Sequence, residues 1–165
     1  MSMDRMRAPM DMKPHAYDPV RNPELFDGLL LRRTCAFVID VIIIMVPVAL
    51  ATLFILLIGL VTFGLGWPLL FWLLRPATII WALLYYGFTL GSPASATIGM
   101  RVMNIQLRTW YGDPCYFVLG AVHAVAYWVS VTFLTPLVLI VGFFNDRRRL
   151  LHDFVVGTVM IRNPD

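Results

Sequence analysis

The sequence predicts an all-α membrane protein. It reads as a small polytopic helical bundle of two long spans plus a broken C-terminal hairpin, with a short two-stranded β pairing of residues 102–108 with 158–162 at the cytoplasmic surface. Three observations carry this. Hydrophobic residues make up 59% of the chain and charged residues 14%, against about 25% charged in a soluble domain. No Asp, Glu, Lys or Arg falls between Asp40 and Arg75, nor between Cys115 and Phe144, and both stretches exceed the ~20 residues that a helix needs to cross a bilayer. The basic residues collect beside these runs: Arg32 and Arg33, Arg101 and Arg108, and Arg147 to Arg149.

Residues 1–27 are polar, carry both charge signs and contain Pro9, Pro14, Pro19 and Pro23. No apolar signal-peptide core occurs, so this part reads as a disordered cytosolic arm ahead of a transmembrane domain over 28–162. The first span covers about 31–60. Asp40 lies seven residues beyond Arg33 and Pro47 seven beyond Asp40, so the three share one helix face. Pro47 has no N–H, which frees the carbonyl of Ile43. Asp40 and that carbonyl form a candidate ion or proton site, since an ionisable residue inside a membrane is costly to keep. The other reading is that a neighbouring helix satisfies Asp40 structurally.

Residues 61–74 carry glycine, proline and interfacial aromatics (Phe63, Trp67, Phe71, Trp72) and read as an external connection. The second span then runs over about 76–94, opened by Pro76, with Arg75 reaching the outer headgroups. The competing reading starts it at Trp67 and places Arg75 deeper. Alternation from Val102 to Arg108 predicts a strand, with Thr158–Arg162 as its partner. The last apolar stretch, 116–144, is long for one span and short for two. Arg147 to Arg149 stay on the cytoplasmic side if it turns back near Thr135-Pro136; a single span would carry them outside. Both termini are then cytoplasmic. Gly120 and Ala124 make a small-residue packing face. His123, the lone titratable group in the stretch, is either a packing histidine or a proton relay.

Cys35 and Cys115 are too few and too far apart for a zinc cluster, and a disulfide is not expected. No nucleophile motif, metal-ligand spacing or phosphate loop is present. No enzyme activity, metal or cofactor is therefore expected. The basic residues form no stripe with interleaved aromatics, so nucleic acid is not an expected partner; the lipid bilayer is.

Three motifs resemble one family. Arg33-Thr-Cys-Ala36-Phe-Val-Ile-Asp40 resembles the R-x-x-A-x-x-x-D opening of the RDD family of bacterial membrane proteins. Thr97-Ile98-Gly99 resembles its T-x-G signature. Arg148-Arg149-Leu-Leu151-His152-Asp153-Phe-Val-Val-Gly157-Thr158 resembles its closing R-R-x-L-H-D-x-x-x-G-T. The chain departs where Met100 follows T-x-G in place of a lysine, and where His123 stands near the start of the later span in place of an arginine. The resemblance implies Arg33, Asp40 and Asp153 as the named trio, an inner-membrane location, and a transporter-like role, with sodium/proton antiport assigned to some members. Two functions follow as expectations. One is a cation/proton exchanger turning over at Asp40, its small chain shielded by homo-oligomerisation. The other is a non-transporting scaffold or accessory subunit, in which Arg33, Asp40, His152 and Asp153 form a structural clasp.

Overall fold

The computed structural model describes residues 17–134 and 137–163. In chain order it has a short 3-10 turn (Pro23–Leu25), α1 (Leu29–Val61), α2 (Trp67–Leu90), α3 (Ile98–Val102), β1 (Ile105–Thr109), α4 (Phe117–Leu134), α5 (Leu137–Phe143), α6 (Leu151–Val156) and β2 (Thr158–Arg162). The chain is mostly helical. Two helices, α1 and α2, are long and apolar enough to cross a membrane.

At 33 residues, α1 is about 50 Å long, which exceeds the ~30 Å of bilayer hydrocarbon. The helix runs through Pro47. It divides into two zones with different neighbours. From Leu29 to Asp40, one face is buried: Leu29, Arg33, Ala36 and Asp40, spaced three to four residues apart as one side of a helix requires. Beyond Asp40 most large side chains are exposed, among them Ile42, Leu50, Leu53, Phe54, Leu57 and Leu60. A surface of this apolarity suits lipid, not water. Val41 to Val61 alone is about 31 Å of helix.

The turn after α1 needs positive φ at Phe63 (+53°) and Gly64 (+87°). The second span does not begin at Pro76 after an interfacial connection. It begins at Trp67, with Pro68 in the first turn and Pro76 inside the helix. Proline is accommodated at a helix start because the first N–H groups have no intrahelical partner; Pro68 already fills that role, so Pro76 is carried as an interior proline. Closing the turn this early requires a gap at Gly59, where any Cβ would overlap the indole of Trp67. Arg75 is exposed on the side of α2. The helix ends at Leu90.

The 3-10 turn, α3, β1, α6 and β2 build a compact cap on the N-terminal end of α1, while α4 packs along α2. β1 and β2 pair antiparallel, Ile105 opposite Arg162 and Thr109 opposite Thr158. The strand is shorter than 102–108, because Val102 ends α3 and Asn104 turns the chain at φ +56°. The alternation expected of it is also absent: Ile105, Gln106 and Leu107 are all buried. Both faces of this ribbon are covered, with Phe26, Leu29, Ile105, Leu107, Val159 and Ile161 in one core. Of the expected disordered arm, residues 1–16 lie outside the described residues. From Tyr17 onward it is folded against the cap: Phe26 is buried, and Arg147 Nε donates to the Tyr17 carbonyl at 3.2 Å.

The 116–144 stretch holds two helices, α4 and α5. The expected turn at Thr135-Pro136 lies outside the described residues. Gly120 sets α4 against α2, where a Cβ would stand 2.7 Å from Leu90 Cβ.

Candidate functional site

Two buried carboxylates organise the cap, and the sequence explains each environment locally. Asp40 is 2% exposed. Three donors converge on it. Tyr85 of α2 gives its hydroxyl to Oδ1 at 2.6 Å, Thr97 gives its hydroxyl to Oδ2 at 2.6 Å, and the Gly99 N–H reaches Oδ1 at 2.8 Å. Both oxygens of Asp40 therefore have hydrogen-bond donors. The T-x-G motif acquires a physical meaning here. Thr97 is the N-cap of α3 and also accepts from Met100 N at 3.1 Å. Gly99 lets the chain touch α1, since a Cβ there would stand 2.2 Å from the Ala36 carbonyl.

Asp153 is fully buried. Arg33 Nη2 donates to its Oδ2 in an ion pair. Leu150 N–H donates to the same oxygen at 2.9 Å, the reach-back from N3 of a short helix to its start. Around Oδ1 stand His152 Nε2 at 3.5 Å, His123 Nδ1 at 3.8 Å and the Thr158 hydroxyl at 3.4 Å. Arg33 uses its other nitrogens as well, Nε toward Met160 Sδ and Nη1 to the Arg148 carbonyl. Arg149 donates to the carbonyls of Thr158 and Asp153, while its guanidinium stacks over Trp110 and Phe154. Gly157 caps α6 in the left-handed region, φ +71°, and swings the chain into β2 at Thr158.

Burial by itself would raise the Asp153 carboxyl, but Arg33 foremost, then His152, His123 and the Leu150 N–H, hold it down at about 2. Burial pushes the His152 imidazole down to about 3, against the pull of Asp153. At neutral pH the pair is thus a carboxylate beside a neutral histidine. Cys115 is pushed up to about 11 by burial, so it supplies no thiolate, and both cysteines are free.

The structure brings Arg33 and Asp153 together across 120 residues of sequence. It does not bring Asp40 into that pair. Both clusters instead border one largely apolar cavity of about 230 Å³, whose lining residues include Arg33, Asp40, Tyr86, His123, Tyr127 and His152 beside Phe37, Leu90 and Met160. Ile43, one turn beyond Asp40, is not among its lining residues. The sequence reading missed Tyr85. The signal was present: a tyrosine inside an apolar helix needs a partner for its hydroxyl, and Asp40 was the one buried acceptor lacking donors. It also missed the convergence of His123, His152 and Asp153, because α4 and α6 are joined only by the fold.

Compared with known families, the chain matches the RDD family over residues 28–157. It belongs to that family. No curated protein and no solved structure matches it.

Proposed function

We propose that this RDD-family protein is a multi-pass inner-membrane protein that exchanges protons for small cations at Asp40. The observation that carries the reading is the setting of that carboxylate. It borders a cavity, and two of its three partners are hydroxyls. A hydroxyl donates to a bare carboxylate and, once rotated, offers an oxygen lone pair to a cation. Asp40, Thr97 and Tyr85 together with a cavity water would form an all-oxygen set suited to a hard cation.

The membrane placement rests on length and charge. With Val41–Val61 as the spanning part of α1, Asp40 sits at the cytoplasmic edge of the hydrocarbon, not at its centre. The cap is then cytoplasmic, and with it Arg32, Arg33 and Arg147–Arg149, as the positive-inside rule asks. Gly91, just past the end of α2, and Phe117, at the start of α4, meet beside the cap, and Gly142 of α5 returns to pack against Leu30 and Leu150. That supports α4 and α5 as a broken hairpin entering and leaving on the cytoplasmic side, both termini inside. A path through so small a chain is shielded by homo-oligomerisation. The test is flux in proteoliposomes under an imposed pH gradient with Na⁺, K⁺ and Li⁺. Asp40→Asn abolishes cation-coupled proton movement while the protein still inserts. Equal flux in the variant and in the parent chain, or none above protein-free vesicles in the parent, overturns the reading.

The scaffold reading has its own support, the ion pair in which every nitrogen of Arg33 is engaged. A buried pair of this kind gives conformational specificity without turnover. Under it, swapping the charges (Arg33→Asp with Asp153→Arg) restores folding lost in either single variant, and the parent chain moves no ions.

A further inference from the structure

We propose that His123, His152 and Asp153 form a binding site for a divalent transition metal, with Zn²⁺ the best-fitting ion. This site is separate from the one at Asp40 and does not depend on ion exchange there.

The ligand atoms of these three residues, each buried, all lie within 4.8 Å of one another. Tetrahedral ligands at about 2.0–2.1 Å from zinc are about 3.3 Å apart. His152 Nε2 already stands 3.5 Å from Asp153 Oδ1, and His123 Nδ1 stands 3.8 Å from it. A movement of a few tenths of an ångström brings each imidazole to the carboxylate, and the widest separation in the set, up to 4.8 Å, closes by about 1.5 Å. Two imidazoles and one carboxylate favour zinc and its neighbours over Na⁺, Mg²⁺ or Ca²⁺.

The surroundings divide the carboxylate in the way a metal ligand needs. Arg33 Nη2 and Leu150 N–H hold Oδ2, leaving Oδ1 toward the histidines. Ligating carboxylates are hydrogen-bonded in this manner. The Thr158 hydroxyl stands beside two of the three ligands, 3.2 Å from His123 Nδ1 and 3.4 Å from Asp153 Oδ1. His123 and His152 both line the cavity, so the fourth position opens to it. The positive charges nearby are Arg33 and Arg149. Arg33 is committed to Oδ2, a carbonyl and a sulfur, and Arg149 Nε and Nη2 to backbone carbonyls. Their presence selects an anion as fourth ligand, and hydroxide from a cavity water fits, because zinc lowers the pKa of bound water to about 7.

The experiment uses the full chain without a histidine tag, stripped of metal in detergent and then titrated with Zn²⁺ and Co²⁺. One equivalent of zinc is retained on gel filtration, and Co²⁺ gives the visible bands of a tetrahedral site. His123→Gln and His152→Gln each weaken binding at least tenfold, while Cys35→Ala with Cys115→Ala leaves it unchanged. Zinc X-ray absorption on the unmodified chain, independent of whether the variants fold, counts two imidazole ligands. Folded parent chain that retains no zinc, histidine variants that bind zinc as tightly as the parent, or an absorption spectrum without imidazole scattering overturns the proposal.

Discussion

Replacing Arg33 with methionine tests the clasp most directly. Arg33 is 8% exposed and Asp153 is fully buried. Methionine matches the length of the arginine stem but withdraws the guanidinium. Asp153 Oδ2 is left with one neutral donor, Leu150 N–H, and the Arg148 carbonyl loses its partner. Breaking a buried pair from one side costs about 3–5 kcal/mol, because the remaining charge is stranded. Asp153→Asn strands Arg33 in the same way and costs a similar amount. The double variant removes both charges, so it is less damaged than the sum of the singles, by up to about 3 kcal/mol for groups in direct contact. Equilibrium unfolding by dodecyl sulfate in mixed micelles, read by intrinsic tryptophan fluorescence at pH 7.5, gives all four corners of the cycle. A single variant within about 1 kcal/mol of the parent, or strictly additive losses, would show that the pair does not hold the cap.

Three further outcomes are expected. Gly99→Ala forces a Cβ into the Ala36 carbonyl and Asp40; a loss of about 2 kcal/mol or more in the same unfolding assay is expected for this overpacking, and a neutral change would mean α3 can withdraw freely. Tyr85→Phe deletes one donor to Asp40 and costs about 1.5–3 kcal/mol, the range for a bond to a charged group. The third concerns acid. His152 is held below its ordinary 6.5, at about 3, so the unfolded chain takes up its proton first. Stability is unaffected above about pH 6.5 and declines as pH falls from there toward 3. Asp153 adds a second decline lower down, between its ordinary 3.8 and about 2. Unfolding midpoints measured at pH 7.5, 5.5 and 4.5 fall in the parent chain, and fall less in His152→Gln.

The sequence disclosed the membrane class through bulk hydropathy and charge-free runs, signals that survive any error in boundaries. It disclosed the Arg33–Asp153 relation through motifs at the two ends of the family domain. The boundary at Pro76 failed because two prolines eight residues apart both satisfy the rule for helix starts, and only the fit of Trp67 against Gly59 decides between them. The strand was read one turn early because Val102 continues an alternating pattern that α3 and Asn104 interrupt. Asp40 read as an unpartnered carboxylate because its donors come from positions 45 to 59 residues away. Periodicity registers neighbours along one helix and is blind to a partner that the next helix delivers.

The clasp also sets an order on biogenesis. Arg33 is made early, on the first long helix, while Asp153 follows 120 residues later, after every other helix but its own. Between those moments the ribosome has delivered α1 through α5 but not Asp153, the carboxylate that Arg33 pairs with. Until α6 arrives, that guanidinium lacks the carboxylate it pairs with, and hydration is the cheaper state for it. β2 then pairs with β1 from the far side of α4 and α5 in sequence. Closure of the cap is thus a late, long-range event, slow by the cost of bringing distant segments together. A cell that degrades chains caught with the cap open would read Asp153 as the mark of a finished molecule.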